Sequence, residues 1–241
     1  MQNPSQVAGR AEQVKDSDNE SARRDGEMNR ERVISFAEER RYLAEASPTL
    51  RDIAALAVDT GLRPNSELFP LRWANVHLET STEGSHDFLH VPGGKTDAAR
   101  RNVPLTPRAR ALLEMRKSAK GASAFVFPGP GKSGHITTVQ HAHERTIERA
   151  NKATRECGQG KDVIEGFEFY CWRHTCGTRW AEAGMDKFQV ARLMGHSSPR
   201  VAERYYIHVT EPHVTTGFER FLTYQAQRLV DAVPATTRRV Q

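Results

Sequence analysis

Two short apolar segments near the middle of the chain constrain its fold more than any other feature. Residues 88–91 read Phe-Leu-His-Val, and residues 102–105 read Asn-Val-Pro-Leu. The residues that follow the first segment, Pro92-Gly93-Gly94, are typical of turns, so the two segments are predicted to pair as an antiparallel hairpin. Lys95 directly follows this glycine turn. The fold is therefore expected to contain a small antiparallel sheet.

Helical patterns predominate elsewhere. Residues 49–60 place apolar side chains on one helical face, with Gly61 as a C-cap. Ser35 and Glu38 have the spacing of a capping box, which predicts a helix through Leu43. Further helices are predicted over Glu67–Trp73, 107–117 (after Thr106), 136–154, 173–184, 187–194, 199–206 and 216–230, with a brief strand at Phe125–Phe127. The predicted fold class is mainly α with a small antiparallel β-sheet (α+β).

The length suits one domain with tails, because 241 residues can bury a sizeable core. Residues 1–32 are polar, with charges that nearly cancel, and are expected to form a flexible arm or linker. The single folded domain is expected over residues 33–230. Residues 231–241 are expected to form a flexible tail.

The charge balance favours a polyanionic partner. The net charge is +5, and 27 arginines outnumber 8 lysines; the sequence pI is about 9.3. Arginine grips phosphate with two parallel hydrogen bonds, which lysine does not do. Composition alone fits a soluble basic protein equally well, so the choice depends on the motifs.

Cysteine usage and hydropathy point to a reducing compartment. The three cysteines, Cys157, Cys171 and Cys176, form an odd and sparse set that argues against a disulfide framework. The first residues contain no apolar segment of the kind found in signal peptides, and no apolar run is long enough to span a bilayer. We expect a cytoplasmic, nucleoid-associated protein without a membrane partner.

Four local clusters contain residues suited to chemistry. They are 60–63 with Glu67, 94–105 with Lys95, 173–175 with Arg173, and 194–208 with His196, Tyr205 and Tyr206. Taken singly, each residue has an ordinary structural explanation: Arg63 as a helix cap, Lys95 as a solvated turn residue, Arg173 in an ion pair, His196 as a cap and Tyr206 in the core. Taken together, they suit one reaction.

That reaction is phosphodiester transesterification. A tyrosine hydroxyl has an ordinary pKa of about 10 and needs help to act as a nucleophile. Two arginines can hold the non-bridging oxygens, whose negative charge grows in the transition state. A lysine can protonate the departing 5′-oxygen, and a histidine can handle the proton of the nucleophile. Because arginines supply the positive charge, the chemistry needs no metal. Because the tyrosyl-phosphate keeps the bond energy, the step can be reversed without ATP.

With the strings TGLR, LRW, GKT…RRNVPL, RHT, LMGHSS and YxHV in this order, the chain resembles the tyrosine recombinases, or phage-type integrases, from about Ser35 to about Phe221. The resemblance implies their DNA breaking-rejoining fold, with a catalytic domain over residues 33–230. It implies a three-stranded sheet carrying the lysine, and a catalytic set of Arg63, Lys95, Arg173, His196 and a tyrosine.

The resemblance also implies the course and partners of the reaction. A site-specific recombinase of this family cleaves and rejoins double-stranded DNA through a covalent 3′-phosphotyrosine, without a cofactor. It assembles on DNA as a dimer and then a tetramer, in some cases with accessory DNA-bending proteins.

Two adjacent tyrosines compete for the role of nucleophile. Tyr205 lies nine residues after His196 and Tyr206 lies ten after it; both spacings occur in the family, nine more often. Tyr206-Ile207-His208-Val209 reproduces the family string YxHV, whereas Tyr205 does not. An extra residue is easier to accommodate in the turn after His196 than inside a catalytic helix. We therefore assign the nucleophile to Tyr206.

Three departures from the family pattern bear on activity. Tyr170 occupies the position, three residues before Arg173, that usually holds histidine or lysine; a phenol can donate to phosphate but has no positive charge. Glu67 lies four residues after Arg63 instead of the common three, on the same helical face. The helical domain that normally precedes the catalytic domain does not fit in this length, so we expect a truncated form, a fragment or a degenerate relative.

Three other functions are compatible with parts of the sequence. A zinc site around Cys171, His174 and Cys176, completed by Cys157 or by His141 and His143, lacks a recognised ligand spacing and falls on a predicted helix. A catalytically weak or inactive DNA-binding relative is consistent with Tyr170 and the short length. A type IB topoisomerase uses similar residues on a related fold, but LMGHSS and YxHV favour a recombinase.

Overall fold

The computed structural model describes residues 32–78, 87–94, 97–119, 121–158 and 162–205, together with Leu222. Lys95 and Tyr206 lie outside these residues. So do residues 1–31 of the predicted arm, the predicted tail, and the predicted helix over 216–230 apart from Leu222.

The described part is mainly helical with one three-stranded antiparallel sheet, which confirms the predicted fold class. The helices are α1 (Phe36–Glu45), α2 (Pro48–Thr60), α3 (Pro107–Ser118), α4 (Gln140–Glu156), α5 (Cys171–Glu182), α6 (Lys187–Met194) and α7 (Pro199–Tyr205). The strands are β1 (Val76–His77), β2 (Phe88–Val91) and β3 (Arg101–Pro104).

The sheet has the order β1-β2-β3, and its second and third strands form the predicted hairpin. Leu89 pairs with Val103, and both side chains are fully buried. Arg101 lies two residues before Val103 and therefore on the same, inward face of β3. The hairpin thus directs one arginine into the protein interior.

The predicted helix ends are confirmed at three places. The Ser35 hydroxyl accepts from the Glu38 amide, and the Glu38 carboxylate accepts from the Ser35 amide, which completes the capping box before α1. Thr106 accepts from the Ala109 amide before α3. Gly61 ends α2 with φ +61°, a conformation that favours glycine. A side chain at Gly61 would also meet the Met194 sulfur at 3.0 Å, so the Met194 side chain of α6 packs against the end of α2.

Two predicted elements were wrong. The expected helix over Glu67–Trp73 is a π-helical turn at Pro64–Leu68 followed by a 3₁₀ turn at Trp73–Asn75. Pro70 lies between them and has no amide hydrogen, so it cannot continue a helical hydrogen-bond ladder. The expected strand at Phe125–Phe127 is instead an isolated bridge between Arg72 and Phe125.

The core lies between α1, α2, α4 and α5, with Trp172 and Ile53 fully buried. His143 of α4 is fully buried within it. Its Nε2 donates to the Phe167 carbonyl at 2.7 Å, because a carbonyl can only accept, and its Nδ1 therefore accepts from the Tyr42 hydroxyl at 2.8 Å. Both ring nitrogens are thus used structurally, and His143 is not available as the zinc ligand weighed above.

Buried histidines should make the fold sensitive to acid. Burial lowers the pKa of His174 to about 4 and also lowers the pKa of His143. Below pH 6.5 the unfolded chain therefore takes up protons that the folded protein does not. The free energy of unfolding should fall between pH 6.5 and 4, with a slope approaching about 1.4 kcal/mol per pH unit for each histidine.

Urea unfolding at pH 7.5 and 5.5 measures this slope. His143→Gln should reduce it, because glutamine does not titrate. The matched control is His141→Gln on the same helix, because the His141 side chain is 95% exposed. An equal slope in both variants would contradict the prediction.

No helix in the described segments is long and apolar enough to cross a membrane.

Candidate active site

Two arginines of the predicted catalytic set converge on one buried carboxylate, that of Glu67, and His196 lies beside the second of them. Arg63 follows the end of α2, Arg173 lies in the first turn of α5, and His196 follows the Gly195 cap of α6. Arg63 Nη1 lies 2.5 Å from Glu67 Oε1, and Arg173 Nη1 lies 3.9 Å from Glu67 Oε2. Arg173 Nη2 lies 3.4 Å from His196 Nε2. Residues more than 100 positions apart in the sequence therefore meet at one site.

The π-helical turn explains how Glu67 reaches Arg63 across four positions. The Glu67 and Leu68 amides both donate to the Arg63 carbonyl, at 2.9 and 3.0 Å, and the Phe69 amide donates to the Pro64 carbonyl at 2.9 Å. A π-helical turn holds one residue more than an α-helical turn. The extra residue is thus absorbed, and Glu67 Oε2 accepts from the Arg63 amide at 2.9 Å.

Arg173 is held by the carbonyl ends of two helices. Its Nη1 donates to the Gly61 carbonyl, after α2, and its Nη2 donates to the Met194 carbonyl at 2.6 Å, in the last turn of α6. Helix C-termini have partial negative charge, which stabilises a cation there. The Arg173 side chain has no exposed surface, whereas that of Arg63 is 30% exposed. Arg63 therefore forms the accessible part of the site, and Arg173 its buried part.

His196 is neutral at physiological pH. Burial first, and then the positive charges of Arg173, Arg63 and Arg101, together lower its pKa to about 4 against the opposing effect of Glu67. Because a guanidinium can only donate, Nε2 is the accepting nitrogen toward Arg173. The imidazole is thus an uncharged hydrogen-bond acceptor at a pH where an ordinary histidine is partly charged.

Glu67 is ionised throughout the physiological range. Burial alone would raise its pKa, but the hydrogen bonds and charge of Arg101, the Arg63 amide and the charge of Arg173 together lower it to about 2. The site therefore contains several permanent positive charges and one permanent negative charge. Its excess positive charge suits an anionic substrate such as a phosphodiester.

Arg101 is a site residue that the sequence did not single out. It is 3% exposed and donates to both Glu67 oxygens, Nη1 to Oε1 at 3.1 Å and Nη2 to Oε2 at 2.8 Å. Its Nε donates to the Leu193 carbonyl at 2.6 Å. The available signal was its period-two alternation with Val103, which predicts an inward-facing arginine on a strand.

Tyr170 takes a different position. It precedes α5, its ring is 40% exposed, and it lines a cleft of about 660 Å³ together with Pro64, Asn65 and Gln140. Its side chain thus shares a cleft with the first two residues after Arg63. Lys95 and Tyr206 lie outside the described residues, as does the side chain of Tyr205.

The cysteines do not gather with histidines or carboxylates in the described segments. Cys171 and Cys176 are buried in α5, and Cys157 is exposed. Burial raises the pKa of Cys171 to about 11, so this thiol is protonated at neutral pH. Among the described residues, no group of three or more histidine, cysteine or acidic side chains is arranged to hold a metal ion.

Comparison with known proteins finds recombinases. A tyrosine recombinase XerC-like protein of Caldanaerobacter subterraneus subsp. tengcongensis is 24% identical over 191 residues, which cover 70% of this chain and 48% of that protein. The chain thus spans about half the length of this relative.

Solved structures with the same fold come from the same group. The Tn1549 transposon integrase in complex with circular intermediate DNA has a TM-score of 0.58 at 22% identity, covering 79% of this chain and 67% of that chain. The XerH site-specific recombinase bound to difH substrate has a TM-score of 0.54 at 18% identity, covering 77% of this chain and 52% of that chain. XerA recombinase has a TM-score of 0.52 at 19% identity, covering 79% of this chain and 63% of that chain.

The match to a family model extends through most of the chain. It begins at residue 27 and ends at residue 213, and so includes every element from α1 to α7 and all the residues of the site. The chain belongs to the phage integrase family, whose members are tyrosine recombinases.

Proposed function

We propose that this chain is the catalytic part of a site-specific DNA recombinase. In this proposal a tyrosine attacks a DNA phosphate, forms a covalent 3′-phosphotyrosine and releases a 5′-hydroxyl. The 5′-hydroxyl of a second DNA end can later attack the phosphotyrosine, which rejoins the DNA and releases the tyrosine. The bond energy is kept in the phosphotyrosine, so rejoining needs no ATP. The substrate is double-stranded DNA in the nucleoid, on which the protein acts as dimers paired into a tetramer.

One observation carries the proposal: Arg63 and Arg173 converge on the Glu67 carboxylate, and a neutral His196 lies beside Arg173. Two guanidinium groups provide donors for the non-bridging oxygens of one phosphate. The low pKa of His196, about 4, keeps its imidazole neutral, and we assign this neutral ring to handle the proton of the attacking hydroxyl. Glu67 orients Arg63 through its side chain and its amide.

The remaining roles are assigned from sequence. Tyr206 is the proposed nucleophile, and Lys95 is the proposed general acid for the 5′-oxygen. Lys95 follows the turn between β2 and β3, and so comes from the same hairpin that sends Arg101 into the site. Tyr170 is proposed to donate its hydroxyl to the bound phosphate from the cleft beside Pro64.

The direct test is covalent capture of DNA. The protein is incubated with nicked suicide duplexes taken from the DNA flanking its reading frame, and the products are separated on a denaturing gel. A nicked duplex releases a short fragment on cleavage, so rejoining is prevented and the adduct accumulates. A protein-DNA adduct that withstands denaturation supports the proposal, and its absence from every flanking sequence would overturn it.

A second candidate is a DNA-binding relative with little or no cleavage. Two observations favour it: Arg173 is fully buried with its donors on protein carbonyls, and the position three residues before it holds an uncharged tyrosine. This candidate predicts DNA binding without adduct in the same experiment, so one gel separates the two functions.

DNA binding should depend steeply on salt. Each lysine or arginine that contacts a phosphate releases a counterion, so affinity should fall about 1000-fold or more between 50 and 200 mM salt. Fluorescence anisotropy with a labelled duplex measures the change. An affinity that stays constant over this range would argue against a DNA partner for the candidate site.

A further inference from the structure

Arg101 connects the hairpin to both sides of the site. It is the first residue of β3, and its guanidinium reaches the Glu67 carboxylate and the Leu193 carbonyl near the end of α6. Resting on the function proposed above, we propose that Arg101 is a positioning residue: it holds Glu67, and through Glu67 it fixes Arg63 in the geometry needed for DNA cleavage.

The contacts of Arg101 require the shape of arginine. Nη1 and Nη2 approach the two Glu67 oxygens in parallel, Nε points to Leu193, and Nη1 also donates to the Ala99 carbonyl at 3.0 Å. A planar guanidinium makes such contacts at fixed angles, whereas a lysine ammonium is a single point of charge. Lysine at this position would keep the charge and lose the two-point hold on the carboxylate.

The contacts of Glu67 divide between Arg101 and Arg63. The Arg101 side chain is 1% exposed and that of Glu67 is 4% exposed, so their ion pair lies inside the protein. The Arg63 side chain, on the outer side of Glu67, is 30% exposed. The order from the interior outward is thus Arg101, Glu67, Arg63. Only Arg63 among the three has substantial surface for a DNA phosphate.

Gly195 shows that the backbone before His196 lies directly against Arg101. A Cβ atom added at Gly195 would lie 2.7 Å from Arg101 Nη1, closer than real contacts allow, and the Gly195 φ of +66° itself favours glycine. The Gly195 carbonyl accepts from Arg63 Nη2 at 3.0 Å. Arg101 therefore borders both the residue that orients Arg63 and the segment that carries His196.

Arg101→Lys tests the proposal, with Arg116→Lys as the matched control. Arg116 is also partly buried and paired with a carboxylate and a carbonyl, Asp52 and Val126, but it lies on α3 away from the site. Adduct formation by Arg101→Lys should be about 10- to 100-fold slower, because a misplacement of about 1 Å in a catalytic geometry has effects of this size. DNA affinity should change less than about threefold, since Arg101 is buried and does not face the phosphate. Arg116→Lys should cleave at the normal rate.

A double-mutant cycle with Glu67→Gln distinguishes positioning from a general loss of structure. If Arg101 acts through Glu67, Arg101→Lys should slow cleavage little further in the Glu67→Gln protein. Multiplying effects, a normal rate in Arg101→Lys, or an equal loss of rate in Arg116→Lys would each overturn the proposal.

Arg101→Met adds a readout that does not require cleavage. Without the Arg101 charge and hydrogen bonds, the pKa of Glu67 should rise, which NMR titration of its side-chain carboxyl carbon measures directly. In an active protein the same change should produce a loss of cleavage toward acid pH that the unaltered protein does not show. If the unaltered protein forms no adduct, the proposed function fails, but the titration still tests the role of Arg101. An unchanged Glu67 pKa in Arg101→Met would show that Arg101 does not hold this carboxylate.

Discussion

Arg63→Ala is expected to reduce covalent capture of DNA by on the order of 100- to 1000-fold, the usual effect of removing one fixed donor to a transition-state oxygen. The fold should be retained, because the Arg63 side chain is partly exposed and Glu67 keeps its two hydrogen bonds from Arg101. Single-turnover cleavage of a nicked duplex and urea unfolding measure the two quantities. A cleavage rate close to normal would contradict the catalytic role proposed for Arg63.

The second arginine needs a gentler substitution. Arg173→Ala should also stop cleavage, but it would leave the buried Gly61 and Met194 carbonyls without their donors. Each buried unsatisfied group costs about 1–3 kcal/mol of folding free energy. Arg173→Lys, which keeps the charge, is therefore the informative variant. It should lose cleavage to a similar degree while remaining folded at neutral pH.

Tyr206→Phe is expected to give no adduct at all, because removal of the attacking oxygen leaves nothing to form the phosphotyrosine. Its control is Tyr205→Phe, which should still trap DNA. Successive residues of a helix point about 100° apart, so only one of two adjacent tyrosines can face a given phosphate. Helix α7 ends at Tyr205, so the two candidate nucleophiles are its last residue and the residue that follows.

Both outcomes of the tyrosine pair are informative. Adduct from Tyr206→Phe and none from Tyr205→Phe would transfer the role to Tyr205. Adduct from both would mean that neither is the sole nucleophile. The double substitution should then show whether either tyrosine can attack the phosphate, in which case no adduct forms, or whether a third hydroxyl forms the adduct.

Sequence reasoning predicted those parts of the fold that depend on local rules. The hairpin follows from a glycine turn between two apolar segments, and α1 and α3 begin where Ser35 and Thr106 accept amide hydrogen bonds. The joint chemistry of Arg63, Glu67, Arg173 and His196 is visible in the sequence, and in the structure each lies within hydrogen-bond or ion-pair distance of at least one other.

The rest depends on contacts between distant residues. Arg101 appears in the sequence as one of two adjacent arginines, and only its pairing with Glu67, 34 positions away, shows what it does. The depressed pKa of His196 needs burial and several neighbouring guanidinium groups, none of which is visible in the string LMGHSS. The full burial of Arg173 likewise arises from the meeting of α2, α5 and α6.

In a regular helix, the number of residues between an arginine and an acid determines where the acid points. The π-helical turn at Pro64–Leu68 makes these two properties independent. An inserted residue inside a regular helix would rotate everything after it by about 100°. Here the wider turn takes up that rotation within five residues. During evolution such a segment can gain or lose one residue without redirecting its carboxylate. The number of residues after Arg63 therefore does not by itself predict where this carboxylate points.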